Sequence, residues 1–207
     1  MFIDIHTHKD YPVEGVFSPA CFGIHPWHAH EETASTYGTF HDRYASRFAD
    51  AEIVGECGLD SFFDNDIERQ QEVFEWQIKI AEEQNKPVVV HCVRALDRLL
   101  QMRKLHRKTP WVVHGFRGGA ATVQQLNQQG IYASFGTAIL DEKQAKTRQC
   151  LAETRFPFFL ETDDTEVPIA AVYNAAAKLR KVPIEELEDA INVNYHTLLK
   201  NWTKQTN

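Results

Sequence analysis

The sequence lacks the features that would place it in several broad classes. No segment approaches the roughly 20 consecutive apolar residues that a membrane helix needs. Cys21, Cys57, Cys92 and Cys150 are only four cysteines in 207 residues and show no CxxC spacing, which argues against a disulfide framework and a zinc-cysteine site. Positive charge is also scarce. With 22 Lys and Arg against 29 Asp and Glu, the formal charge is −7, the wrong sign for holding nucleic acid on a broad basic face. A nuclease whose divalent ions supply positive charge at the scissile phosphate remains compatible with that deficit. Repeats and low-complexity tracts are absent, and the first residues run directly into a strand pattern with no basic region followed by an apolar stretch. The expectation is a cytoplasmic protein with residues 1–207 as a single domain, near the roughly 200-residue lower limit of a (β/α)8 barrel.

What the chain does have is a recurrent ending to its apolar runs. Phe2-Ile3-Asp4-Ile5 leads into His6-Thr7-His8, where strand alternation turns both histidines to one face. The run 51–55 leads into Glu56, Lys86 to Val90 into His91, Trp111-Val112-Val113 into His114, and Phe156 to Thr162 into Asp163. In a parallel barrel every strand points its C-terminal end at one rim, so these residues, distant in sequence, are expected around a single pocket. Three histidine loci with a Glu and an Asp are a metal-ligand constellation. Cys57 and Cys92 directly follow two of the ligands, and alternation turns them away from the metal as buried thiols.

Helical periodicity is strong over Asp66 to Gln84, with Phe74, Ile78 and Ala81 on one face. Further helices are expected over Ala95–Leu105, Ala120–Gln129 stopped by Gly130, Pro168–Lys181 and Pro183–Trp202, the last with Leu187, Ile191, Leu198 and Trp202 on its apolar side. Strand candidates fall near residues 4, 22, 54, 89, 112, 133 and 159, seven in all. The stretch between His8 and Cys21 is too short for a helical crossover plus a strand. The predicted fold is therefore an α/β TIM-type barrel, shortened to about seven regular parallel strands, with Tyr11 to Ser18 supplying at most a rudimentary element.

In order, the pieces Asp4-Ile5-His6-Thr7-His8, Gly23-Ile24-His25-Pro26, Gly55-Glu56-Cys57-Gly58-Leu59-Asp60, His91, His114-Gly115-Phe116-Arg117-Gly118 and Leu160-Glu161-Thr162-Asp163 resemble the TatD family of metal-dependent hydrolases and deoxyribonucleases. Gln70, Phe74, Gln77 and Ala81 stand at that family's helix spacing, and Asn194 falls in a final helix of similar type. The resemblance implies two divalent ions, one held by His6, His8 and Asp163, the other by His91 and His114, with Glu56 bridging. It implies hydrolysis of DNA phosphodiesters, single-stranded or at fraying ends, with no membrane and no obligate protein partner. Asp163 is either a ligand only or also the acceptor of a proton from the attacking water. His25, Trp27, Arg94 and Phe116 are expected on the substrate side. There the chain departs from the family, which usually has an arginine at the position of Val93, one before Arg94, and often a histidine at that of Trp27. Trp27 is open to two readings, a base-stacking platform or a packed rim aromatic.

Histidine and carboxylate ligands suit zinc, manganese or iron, while magnesium prefers more oxygen. Two other functions compete: amide or ester hydrolysis of a small molecule, and a non-catalytic metal-binding module. Glu56 stands where related barrels place a carbamylated lysine, which favours the phosphodiester reading, and six filled ligand positions argue against a degenerate module.

Overall fold

The computed structural model describes residues 1–63 and 66–203, the last three through their backbone alone. It divides into two compact units, one of residues 1–19 and 113–200, the other built on residues 20–112. Each is a layer of parallel strands with its own helices.

In the second unit the strands run β3 (Cys21–Phe22), β4 (Ile53–Asp60), β5 (Val88–Val93) and β6 (Trp111–Val113), the last ending at the unit's edge. Cys21 pairs with Ile53, and β4 pairs with β5 from Val54 against Val88 to Asp60 against Val93. The register shifts between Val54 and Cys57, so the chain bulges at Gly55 and Glu56. The bulge demands glycine on both sides of Glu56. A Cβ on Gly58 (φ +146°) would lie 2.0 Å from the His91 carbonyl oxygen, and one on Gly55 (φ +142°) 2.4 Å from that of Val89. The two strands are thereby drawn together where Glu56 and His91 meet.

Helix α2 (Ile67–Gln84), capped by the Asp66 carboxylate on the Arg69 N–H, packs on β4 as its periodicity predicts. Helix α1 (Tyr37–Asp50) forms where the sequence pattern predicts no helix. Its Gly38 and aromatic residues are weak helix formers, Gly38 costing about 1 kcal/mol. Phe40 and Phe48 are fully buried, and at about 1.5–3 kcal/mol each their burial outweighs that cost. Helix α3 (Leu96–Leu105) completes the unit.

In the first unit β1 (Phe2–Ile3) pairs with β2 (Val16–Phe17), and β7 (Ile131–Phe135) with β8 (Phe158–Leu160), all in parallel. The Ile5 N–H donates to the Leu160 carbonyl at 3.1 Å, which joins β1 to β8 in the order β2, β1, β8, β7. The two-residue β2 is the rudimentary element expected from Tyr11 to Ser18, and residues 9–19 hold no helix. Among the described residues there are thus eight strands, seven as expected plus this remnant. Around them lie α4 (Ala120–Gln128), α5 (Ala145–Glu153), α6 (Ile169–Arg180) and α7 (Ile184–Thr203). Leu187, Ile191 and Leu198 of α7 are buried as its stripe predicts, and the side chain of Trp202 lies outside the described residues. Among the described residues no helix is long and apolar enough to cross a membrane.

Candidate metal centre

In the first unit the chain past β1 and the chain past β8 run side by side. The Asp163 N–H donates to the His6 carbonyl and the His8 N–H to the Asp163 carbonyl, both at 3.0 Å. Thr7 and Asp163 form a parallel bridge. This backbone frame places the Asp163 carboxylate 3.7 Å from His6 Nε2 and 3.5 Å from His8 Nε2. Asp163 sits at φ +56°, a left-handed conformation that Asp tolerates better than most residues and that persists where neighbours over-determine it. His114 faces His6 edge-on with ring centroids 4.7 Å apart.

Behind these donors is a buried polar layer. The Glu161 carboxylate accepts from the Gly115 N–H and lies 3.6 Å from His114 Nδ1. Burial pushes its pKa upward, but His114, the His6 charge and Ser134 together hold it below the usual range. Asp4 accepts from the Thr162 N–H at 2.9 Å and from its hydroxyl at 2.6 Å. Here burial wins over those bonds, and its pKa is raised to about 6. The Tyr173 hydroxyl meets both polar groups of Ile3, accepting from the N–H at 3.1 Å and donating to the carbonyl at 3.0 Å.

The second unit makes its cluster from side chains. Glu56 Oε1 lies 2.7 Å from His91 Nδ1 and 3.2 Å from His25 Nε2. Since His25 Nδ1 accepts the Trp27 N–H at 3.2 Å, its proton resides on Nε2. His25 therefore presents a donor to the cluster, whereas His91 and Glu56 present acceptor-type ligand atoms. His91 Nε2 in turn lies 3.1 Å from Asp60 Oδ2. A carboxylate behind an imidazole fixes the ring and raises its basicity as a ligand. Asp60, the last residue of the Gly55-Glu56-Cys57-Gly58-Leu59-Asp60 motif, joins the cluster through this contact. Burial would raise its pKa, but the Trp27 indole, the Phe62 and Phe63 N–H groups and His91 hold it below the usual range.

Two buried amides on α2 set this geometry. Gln70 pairs with both backbone groups of Asp60, at 2.7 and 3.1 Å, and Gln77 with both of Ile24, at 2.6 and 3.1 Å. Their seven-residue separation puts them on one helix face, where each reads a peptide as a neighbouring strand would.

Of the residues expected at the substrate, His25 and Trp27 adjoin Glu56 and Asp60 in the second unit. Arg94 stands with φ +51° and its guanidinium 4.7 Å over the Phe62 ring. Phe116 is 5% exposed and packs against Phe135 in the first unit, a packing position within that unit's core.

Across residues 6–200 the sequence matches the family described as TatD related DNase. The chain belongs to that family. One TatD relative, the uncharacterized metal-dependent hydrolase YjjV of Escherichia coli K12, is 30% identical over 195 residues, 86% of this chain and 75% of YjjV. The 3'-5' ssDNA/RNA exonuclease TatD of Erwinia amylovora is 30% identical over 163 residues, 68% of this chain and 59% of that enzyme. The chain spans only about three fifths of that exonuclease. The crystal structure of YjjV shares the fold with a TM-score of 0.79 at 25% identity, over 95% of this chain and 97% of YjjV. A TatD family hydrolase of Entamoeba histolytica shares the fold at a TM-score of 0.71 and 14% identity, over 88% of this chain and 74% of that one. The fold is the TIM-type α/β barrel expected, and the chain is a TatD family metal-dependent hydrolase.

The donors suit that assignment. His6, His8 and Asp163 each offer a ligand atom within 4.8 Å of the others, and Glu56 and His91 do so beside the His25 ring. Imidazole nitrogen and carboxylate oxygen are the ligand chemistry of zinc, manganese and iron.

Proposed function

We propose that this chain hydrolyses phosphodiester bonds of DNA, at single-stranded or fraying ends, using two divalent ions in a cytoplasmic, single-domain enzyme. What carries the reading is the donor chemistry of the two clusters in a TatD family chain, some of whose relatives are named ssDNA/RNA exonucleases. His6, His8 and Asp163 would hold one ion, His91 and His114 the other, and Glu56 would bridge them. When bound, such a pair supplies a nucleophilic water at neutral pH and neutralises charge on the phosphoryl and leaving oxygens.

The chain's own groups do the rest. Asp163 accepts a proton from the attacking water, because its carboxylate lies beside His6 and His8 with 36% of the side chain exposed. His25 donates from Nε2 to an anionic oxygen of the substrate. Asp60 and Glu161 keep His91 and His114 oriented. Trp27 and Arg94 lie on the substrate side.

The test is a panel assay of metal-loaded protein on single-stranded DNA, model phosphodiesters and N-acyl amino acids. Chelator-sensitive hydrolysis of the first two is expected. Hydrolysis of N-acyl amino acids alone would replace this reading by amide chemistry.

A further inference from the structure

Asp60 collects donors from three parts of the second unit. Its Oδ2 accepts the Trp27 Nε1–H at 2.8 Å and lies 3.1 Å from His91 Nε2, while Oδ1 accepts the N–H groups of Phe62 at 2.9 Å and Phe63 at 3.1 Å. One buried carboxylate thus holds a proposed metal ligand on one side and a group of aromatic rings on the other. Those rings face water. Trp27 is 42% exposed, Phe63 53% and Phe62 70%. Trp27 and Phe63 are stacked, centroids 4.7 Å apart and planes 20° from parallel, and the Arg94 guanidinium covers Phe62.

We propose that Trp27, Phe62 and Phe63 form a stacking platform for an unpaired nucleobase, and that Asp60 is the positioning residue that ties this platform to His91. The proposal rests on the phosphodiester reading and adds how the substrate is held. A chain of formal charge −7 gains little from phosphate neutralisation on a broad surface. Stacking needs no such charge and accepts any base, since each has a π-face. Phe63 already has a planar partner on one face, and its exposure fits a second on the other. Arg94, 4.7 Å over the Phe62 ring, adds a cation beside the platform for the strand that carries the base.

The test compares kcat/KM for a ten-nucleotide oligothymidylate with that for an abasic tetrahydrofuran strand of the same length, using manganese-loaded protein. The wild type should prefer the base-bearing strand by about tenfold or more. Phe63→Ala and Trp27→Ala should bring the ratio close to one, and Trp27→Phe, which keeps a ring, should retain most of it. Asp60→Asn should lower the ratio and the metal affinity together, whereas a merely structural loss would lower both strands' rates in proportion. Thermal melts establish that each variant is folded, and the exposed Phe62→Ala and Phe63→Ala provide the result should Trp27→Ala fail to fold. Equal cleavage of both strands by the wild type, or a preference that survives Phe63→Ala and Trp27→Ala, overturns the platform and leaves the phosphodiester reading standing. Cleavage of neither strand overturns both.

Discussion

The two candidate ligand clusters are built by opposite means. In the first unit the backbone does the placing, through the reciprocal hydrogen bonds of His6, His8 and Asp163, and the side chains that result lie 3.5–3.7 Å apart with His8 and Asp163 well exposed. In the second, side chains do the placing: Glu56, His91 and His25 lie 2.7–3.2 Å apart, mostly buried, with Asp60 and two glutamines behind them. A cluster set by backbone survives the loss of a side-chain charge. One set by a central carboxylate does not.

The sharpest way to break this contrast is to neutralise one carboxylate in each. Asp163→Asn keeps size and a ligand oxygen inside an intact backbone frame, so it should retain much of its metal and lose about 10²- to 10⁴-fold in turnover, the scale of a general base. Glu56→Ala should lose metal as well as turnover, and His114→Ala should mainly weaken one ion. Metal analysis and phosphodiesterase rates on the same preparations decide. If Asp163→Asn sheds its metal as readily as Glu56→Ala, the two clusters are not different in kind. If it stays fully active, Asp163 is a ligand only.

A second contrast is the sign of the pH response. Asp4, behind the first cluster, has its pKa raised by burial from 3.8 to about 6. The folded state therefore holds that proton more tightly than the unfolded chain, and the stability this gives is full below about pH 3.8 and lost as pH rises through 6. About two units correspond to roughly 3 kcal/mol. Glu32 in the second unit behaves oppositely. Burial alone would raise it, but bonds from Tyr44, the Ala34 N–H and Arg43 hold it below 4.5. Its contribution is present above that value and lost as pH falls through its lowered pKa. In metal-free protein, Asp4→Asn should raise stability at pH 7 relative to pH 4, and Glu32→Gln should lower it at pH 7 and flatten the acid side. Urea melts across pH 3.5–8 measure both, and parallel profiles for the two variants would refute the assignment.

The candidate ligand positions stand out in the sequence because the signal is local: an apolar run of strand length stops and a His, Glu or Asp follows. The glutamines stood out only through the family resemblance, which does not say what they pair with. Helix α1 was not legible, since Gly38 and its aromatics read as weak helix and only the burial of Phe40 and Phe48 makes it one. Asp60 was missed as a site residue for a related reason. Its role exists only where Trp27, His91 and the chain at Phe62 converge, which no spacing encodes.

Both units also use a side chain to satisfy an entire peptide, and here they should behave alike. Gln70→Leu leaves the Asp60 N–H and carbonyl unpaired, and Tyr173→Phe does the same to Ile3. Each should cost about 1–3 kcal/mol in denaturant melts. Gln70→Leu should additionally weaken metal binding through Asp60 and His91, by about 10- to 100-fold if the carboxylate acts as other outer partners do. Equal metal affinity in the two variants would remove Asp60 from the second cluster's frame.

The smallest effect is expected at the thiols, where the contrast can be read without touching a ligand. None of the four cysteines is in a disulfide in the structure. Cys57 and Cys92 follow Glu56 and His91 directly, on strands β4 and β5 of the tightly packed cluster. Burial pushes Cys57 far up, Cys92 to about 11 and Cys21 to about 12. The thiolate is the reactive form, so at pH 8 these second-unit thiols should react with a disulfide reagent orders of magnitude more slowly than an ordinary cysteine. Denatured, non-reduced protein should return four free groups. Metal should slow labelling of Cys57 and Cys92 further, because ligation of Glu56 and His91 opposes the opening that exposes their neighbours. Cys150, on α5 of the first unit, should show no such dependence. Labelling of Cys57 and Cys92 that is fast in the metal-free protein and unchanged by metal would mean that the side-chain cluster is no tighter than the backbone-built one.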